Sequence, residues 1–149
     1  MKKMLTIIVC LAMLFAALPV YAAEEPSITS ATEIVLENGI RVVEEIIVSS
    51  SAARATAKDA TKKQTFYEGD TVIAIIAFQA TFRYDGSTVS VLSQSVTQTD
   101  TYSGWSYSQN SFTSSGGTVT LSGKLTKWLI FNPTNFTMSL TCDVNGNLS

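Results

Sequence analysis

Thr71-Val72-Ile73-Ala74-Ile75-Ile76-Ala77-Phe78-Gln79-Ala80-Thr81-Phe82-Arg83-Tyr84-Asp85-Gly86 is the stretch whose reading decides the fold. Every even position from Val72 to Tyr84 is apolar. The odd positions Ile73, Ile75 and Ala77 are apolar too, and Gln79, Thr81 and Arg83 are polar. A period of two is that of a β-strand, whose side chains alternate between faces. The strand is therefore expected to be buried on both faces at its start and on one face at its end. Asp85-Gly86 supplies the turn, and Thr88 to Thr97 returns with Val89 and Val91.

The same alternation continues downstream. Val119, Leu121, Leu125 and Leu129 are spaced along one run, and Phe136, Met138, Leu140 and Cys142 alternate with Thr137, Ser139 and Thr141 along another. Ser114-Ser115-Gly116-Gly117, Asn132-Pro133 and Asn145-Gly146 punctuate these runs as turns. No helical period of 3.6 appears, so residues 61–149 read as a domain of about six strands. Upstream, in residues 23–48, Ile34-Val35-Leu36 and Ile40 to Val48 flank Glu37-Asn38-Gly39. Asn-Gly between apolar runs is a strong hairpin signal, and a two-residue turn of this kind needs positive φ at both positions. Glu44-Glu45 interrupts the second arm and reads as a bulge or as the charge that protects an edge strand. Residues 49–60, Ser-Ser-Ser-Ala-Ala-Arg-Ala-Thr-Ala-Lys-Asp-Ala, hold no large apolar side chain and read as a flexible linker. Antiparallel strands joined by short turns, without helical crossovers, predict an all-β fold: an antiparallel β-sandwich or a partly closed barrel.

Residues 1–22 have the parts of a secretory signal peptide. Lys2 and Lys3 give a positive start, Leu5 to Leu18 is apolar apart from Thr6, and Val20-Tyr21-Ala22 places small residues where a signal peptidase requires them. The apolar run is shorter than the roughly 20 residues of a membrane-spanning helix. Cleavage between Ala22 and Ala23 is expected, with export from a bacterial cell and no membrane span afterwards. Lipidation at Cys10 is disfavoured, because bulky Val9 precedes it and the apolar run continues past it. After cleavage Cys142 is the only cysteine, so no internal disulfide can form.

Removing the signal leaves 8 basic and 12 acidic side chains, a net charge of −4. That balance argues against a nucleic-acid partner, which needs a basic face. The chain contains no histidine. Ser-His-Asp and Cys-His nucleophile activation are thereby excluded, and the commonest zinc and copper ligand is missing. No phosphate-binding glycine loop is present. Neither a metal nor a cofactor is expected, and no catalytic residue is assigned. A carboxylate-dependent hydrolase is the third reading, with Glu68, Asp70, Asp85, Asp100 and Asp143 as the available acids. Asp85 and Asp143 are better explained as turn formers that bind their own backbone.

Residues 87–122 are the most unusual stretch, with 18 Ser or Thr in 36 positions and Asp100 as the sole charge. Within it, Tyr102, Trp105 and Tyr107 are candidate ligand-binding residues, since aromatic faces beside hydroxyls and amides can stack on sugar rings. The competing and favoured interpretation places Trp105 and Tyr107 on one strand face as core. Cys142, continuing the series Phe136, Met138 and Leu140, is expected to be a buried thiol. Trp128-Leu129-Ile130-Phe131 cannot all face one side of a strand, which leaves either a strand buried twice over or an exposed partner surface.

The signal, the Ala/Ser/Arg linker, Asp100-Thr101-Tyr102-Ser103-Gly104-Trp105 and Leu140-Thr141-Cys142-Asp143-Val144-Asn145-Gly146-Asn147 together resemble small secreted proteins of uncharacterised function from Gram-positive, gut-type bacteria. The resemblance implies an extracytoplasmic bacterial protein and carries over no site residue. The leading expectation is a secreted, non-enzymatic module that contacts a glycan, the cell envelope or another protein. The alternative is an assembly subunit that pairs through sheet edges, with its N-terminal hairpin as a movable element.

Overall fold

A computed structural model describes residues 26–49, 56–128 and 133–149. The signal with its expected cleavage point at Ala22 and Ala23, linker residues 50–55 and the run Leu129-Ile130-Phe131 lie outside the described residues. The chain forms β1 (Ser27–Val35), β2 (Arg41–Ser49), β3 (Ala57–Glu68), β4 (Thr71–Tyr84), β5 (Val89–Thr101), β6 (Trp105–Ser115), β7 (Thr118–Lys127) and β8 (Thr134–Thr141). They build two antiparallel sheets, β1-β2-β3-β4-β5 and β6-β7-β8, in which strands consecutive in sequence lie side by side. The sheets face each other without closing, so the fold is a β-sandwich and not a barrel.

The change of sheet falls at Tyr102-Ser103-Gly104. Ser103 and Gly104 both take positive φ, 55° and 78°, while Tyr102 donates to the Ile73 carbonyl and Trp105 to that of Tyr102. This tight corner lets the hydroxyl-rich β5 end one sheet and β6 start the other.

β4 is the spine of the larger sheet. Ala74, Ile76, Phe78, Ala80 and Phe82 are buried on its inner face, as the alternation predicts. Ile73 is buried as well, because a bulge opposite Phe66 and Tyr67 makes it the extra residue of the pair. Against this face the smaller sheet sets Val119, Leu121 and Leu125 from β7 and Phe136, Met138 and Leu140 from β8. Phe66 meets Phe136 at 5.0 Å between ring centroids, and Phe78 meets Phe112 at 5.5 Å. Each fully buried side chain of this size contributes roughly 1.5–3 kcal/mol from removal of apolar area from water.

Three sequence expectations need correction. Ala57–Ala60 are not linker but the first residues of β3. They pair with β4: Ala60 is buried opposite Ala80, Lys58 lies opposite Phe82, and Asp59 accepts from the Thr81 hydroxyl. The Glu44-Glu45 pair marks neither an edge nor a bulge. β2 is an interior strand in regular register with β3, where Lys62 and Lys63 supply the opposing charge. Lys62 Nζ lies 2.6 Å from Glu44, and Lys63 Nζ 2.7 Å from Glu45. The N-terminal hairpin forms, but its turn is not the two-residue kind. Gly39 alone has positive φ, at 81°, Gly39 N donates to Leu36 O, and Leu36 N donates to Ile40 O. That is a three-residue loop closed by a left-handed glycine.

Candidate contact surface

The smaller sheet covers only part of the larger one. Close backbone approaches between the sheets join β8 to β3 and bring β6 and β7 against β4 and β5, whereas β1 and β2 make none. β2 still buries Val42 and Ile46, but every residue of β1 is exposed. Ile28, Ile34 and Val35 present 59%, 50% and 67% of their surface to solvent. β1 therefore stays in place through its backbone bonds to β2 and gains almost nothing from core burial.

Its hairpin is nevertheless anchored at the turn. Asn38 Oδ1 accepts from the Ile40 amide at 3.3 Å, and Asn38 Nδ2 donates to the Thr134 hydroxyl at 2.7 Å, tying the turn to the start of β8. Alternation from the closing Leu36–Ile40 pair makes Ile34–Val42, Thr32–Glu44 and Ser30–Ile46 the hydrogen-bonded pairs. The amides and carbonyls of Ala31, Glu33 and Val35 consequently point away from β2, toward the open edge.

Of the other sheet edges, β5 and β6 are interrupted, and β8 is regular but covered at its end. β5 has irregular register with β4 at two places, near Val96–Gln98 and Val91–Ser93. β6 has one in its middle, between Gln109 and Ser111. The end of β8 is covered by the C-terminal residues, with Thr141 and Ser149 exchanging backbone hydrogen bonds. β1 has one bulge, between Ile28 and Ser30, and is regular from Ser30 to Val35. It has neither lysine nor proline within it, and its one acid, Glu33, is held by Arg41 at 3.3 Å. Charge, proline and bulges are the usual protections of an edge strand, and this segment is short of all of them.

Trp105 and Tyr107 lie on one face of β6, and that face turns inward. Trp105 retains 9% exposure, and the Tyr107 ring packs 6.0 Å from that of Phe136. The Trp105 indole N–H and the Tyr107 hydroxyl are buried and have no hydrogen-bond partner among the described residues. Burial pushes the Tyr107 hydroxyl pKa up. Tyr102 stands apart in the corner, 44% exposed, so the three aromatics do not form one platform. Trp128 is 83% exposed and donates its amide to Gly104, which brings it next to the Tyr102 corner.

The acids are dispersed. The Asp85 carboxylate accepts from the Ser87 and Thr88 amides and the Thr88 hydroxyl, bonds that hold its pKa below the ordinary 3.8. Asp143 does the same for Asn147 and Asn145. Asp100 accepts from Gln98. Glu68 lines a cleft of about 330 Å³ with Ile40, Trp105 and Thr134, and Lys127 pairs with it at 2.7 Å. Cys142 is buried, and desolvation pushes its thiol pKa up. Among the described residues, no three His, Cys, Asp or Glu side chains come together as a metal site.

Nothing in the sequence singled out Ile28, Ile34 and Val35 as exposed, because an apolar run reads alike in a buried and in an overhanging strand. Comparison with family models, with curated proteins and with solved structures found no match.

Proposed function

We propose that the chain is an exported, non-enzymatic bacterial contact module, and that β1 is the element through which it makes contact. The observation that carries this reading is a strand exposed along its whole length, with three large apolar side chains in solvent and an open edge that is regular from Ser30 to Val35. An edge of this kind recruits an additional strand, with main-chain hydrogen bonds for affinity and alternate side chains for specificity. The missing histidine and the engagement of Asp85, Asp143 and Glu68 in turns and an ion pair support a role in contact and not in catalysis. Secretion, with the cell envelope or a protein outside the cell as partner, belongs to the same proposal and rests on residues 1–22.

The test is binding of the processed chain to purified cell envelope, with Ala31→Pro as the comparison. Proline at 31 removes an amide that points outward and leaves the bonds to β2 intact. Binding that Ala31→Pro abolishes supports the reading, and binding indifferent to it contradicts it. A glycan partner is the second reading, favoured by the exposure of Tyr102 and Trp128 on neighbouring turns. Glycan-array binding that is lost in the Tyr102→Ala/Trp128→Ala double variant would support it, and uniform non-binding would remove it.

A further inference from the structure

We infer that the partner of β1 is the β1 strand of a second copy of this chain, added antiparallel about a two-fold axis at Thr32. The inference rests on the proposal that β1 is the contact edge and names its occupant. Isologous pairing requires that the groups pointing outward on one strand meet those pointing outward on the other. Ala31, Glu33 and Val35 carry those groups, which limits the axis to a few positions. An axis at Glu33 sets acid against acid. An axis at Ala31 brings Glu33 against Thr29, inside the bulge that breaks the regular segment. An axis at Ile34 overlaps only residues 33–35 of each strand. An axis at Thr32 keeps Ser30 to Ile34 paired within the regular segment and meets the bulge only at its margin, where Val35 faces Thr29.

In that register Ala31 of each copy lies opposite Glu33 of the other, and the two exchange backbone hydrogen bonds. Ser30 lies opposite Ile34, and Thr32 faces its own copy as a non-hydrogen-bonded pair, the closer of the two pair types. All of these residues belong to the regular stretch from Ser30 to Val35. The acid opposite Ala31 also has a partner in its own hairpin, since Arg41 reaches Glu33 at 3.3 Å and stacks 4.2 Å from the Tyr67 ring. The two five-stranded sheets then become one continuous ten-stranded sheet, and the exposed edge of each copy is covered by the other.

Thr32→Cys tests the register. Its two copies are within disulfide reach only when the axis passes through Thr32, and buried Cys142 gives the unsubstituted chain no competing reaction. The expected result is a disulfide-linked dimer of Thr32→Cys under mild oxidation, together with a concentration-dependent dimer of the unsubstituted chain in sedimentation. Charge at Ala31 gives a second readout that does not depend on cross-linking. Ala31→Lys, facing Glu33 twice, should tighten the dimer about fivefold, and Ala31→Glu should loosen it by a similar factor. A chain that sediments as a monomer at all concentrations overturns the second-copy inference. So does a dimer that cross-links through Ile34→Cys but not Thr32→Cys, or one indifferent to charge at Ala31. Envelope binding that is sensitive to Ala31→Pro in a strictly monomeric chain overturns the inference while leaving the β1 contact reading in place.

Discussion

Individual residues fix the geometry at two points where substitution has a calculable sign. Gly123 in β7 lies under the Tyr107 and Phe136 rings. A Cβ there meets Tyr107 at 2.7 Å and both Phe136 and the Ser108 carbonyl at 3.0 Å. Because the backbone carbonyl cannot move aside, Gly123→Ala is expected to destabilise the fold by about 1–3 kcal/mol in chemical denaturation, the range for overpacking a dense core. Asp143 organises the last turn by accepting from Asn145 and Asn147, and these bonds lower its pKa from the ordinary 3.8. A carboxylate whose folded pKa is depressed gives stability that is present above its unfolded value and is lost as pH falls through the folded one. Acid unfolding of Asp143→Asn should therefore have a shallower pH slope below about pH 4 than the unsubstituted chain. Equal slopes would mean that the ionised Asp143 carboxylate contributes nothing to stability. The turn role of Asp143 was legible from Asp-Val-Asn-Gly-Asn, since Asp and Asn bind their own backbone. The crowding at Gly123 was not legible, because it arises between side chains far apart in sequence.

Among the elements, β2 and β3 show how local pattern and tertiary partner divide the information. Glu44-Glu45 looked like edge protection because sequence shows a charge without its counter-charge. The counter-charges are Lys62 and Lys63 on the next strand. Glu44 also accepts from Gln64 at 2.7 Å, so Lys62, which is buried, and Gln64 share one carboxylate. Removing that carboxylate leaves a buried ammonium uncompensated, and Glu44→Ala should cost about 3–5 kcal/mol. Glu44→Leu with Lys62→Met, which replaces the pair by apolar groups, should recover most of that loss in the same denaturation experiment. A double variant no more stable than Glu44→Ala would contradict this account of the pair. β4 lies at the opposite extreme. Its alternation is self-sufficient, and the even face read from sequence is the inner face in the fold. Ala57–Ala60 escaped recognition because their strand state comes from pairing with β4 and not from an apolar pattern of their own.

For the whole molecule, the central feature is the mismatch between a five-stranded and a three-stranded sheet. The all-β class and the places of the turns follow from period and turn residues, while the choice of sandwich over barrel does not. The mismatch does not, since sheet membership depends on one corner at Tyr102-Ser103-Gly104, whose direction no periodicity encodes. It leaves β1 as an overhang with an open edge, and the account of function depends on that strand. The aromatic candidates follow the same logic, with Trp105 and Tyr107 drawn inward to fill the sandwich while Tyr102 stays in the corner. Amide hydrogen exchange, resolved by residue over a range of protein concentration, tests the role of β1 most directly. The account predicts that the amides of Ala31 and Glu33 exchange freely in dilute solution and become protected as concentration rises, while those of Thr32 and Ile34, already bonded to β2, change little. Free exchange of both amides at every concentration, with protection appearing instead along β5 or β8, would contradict it.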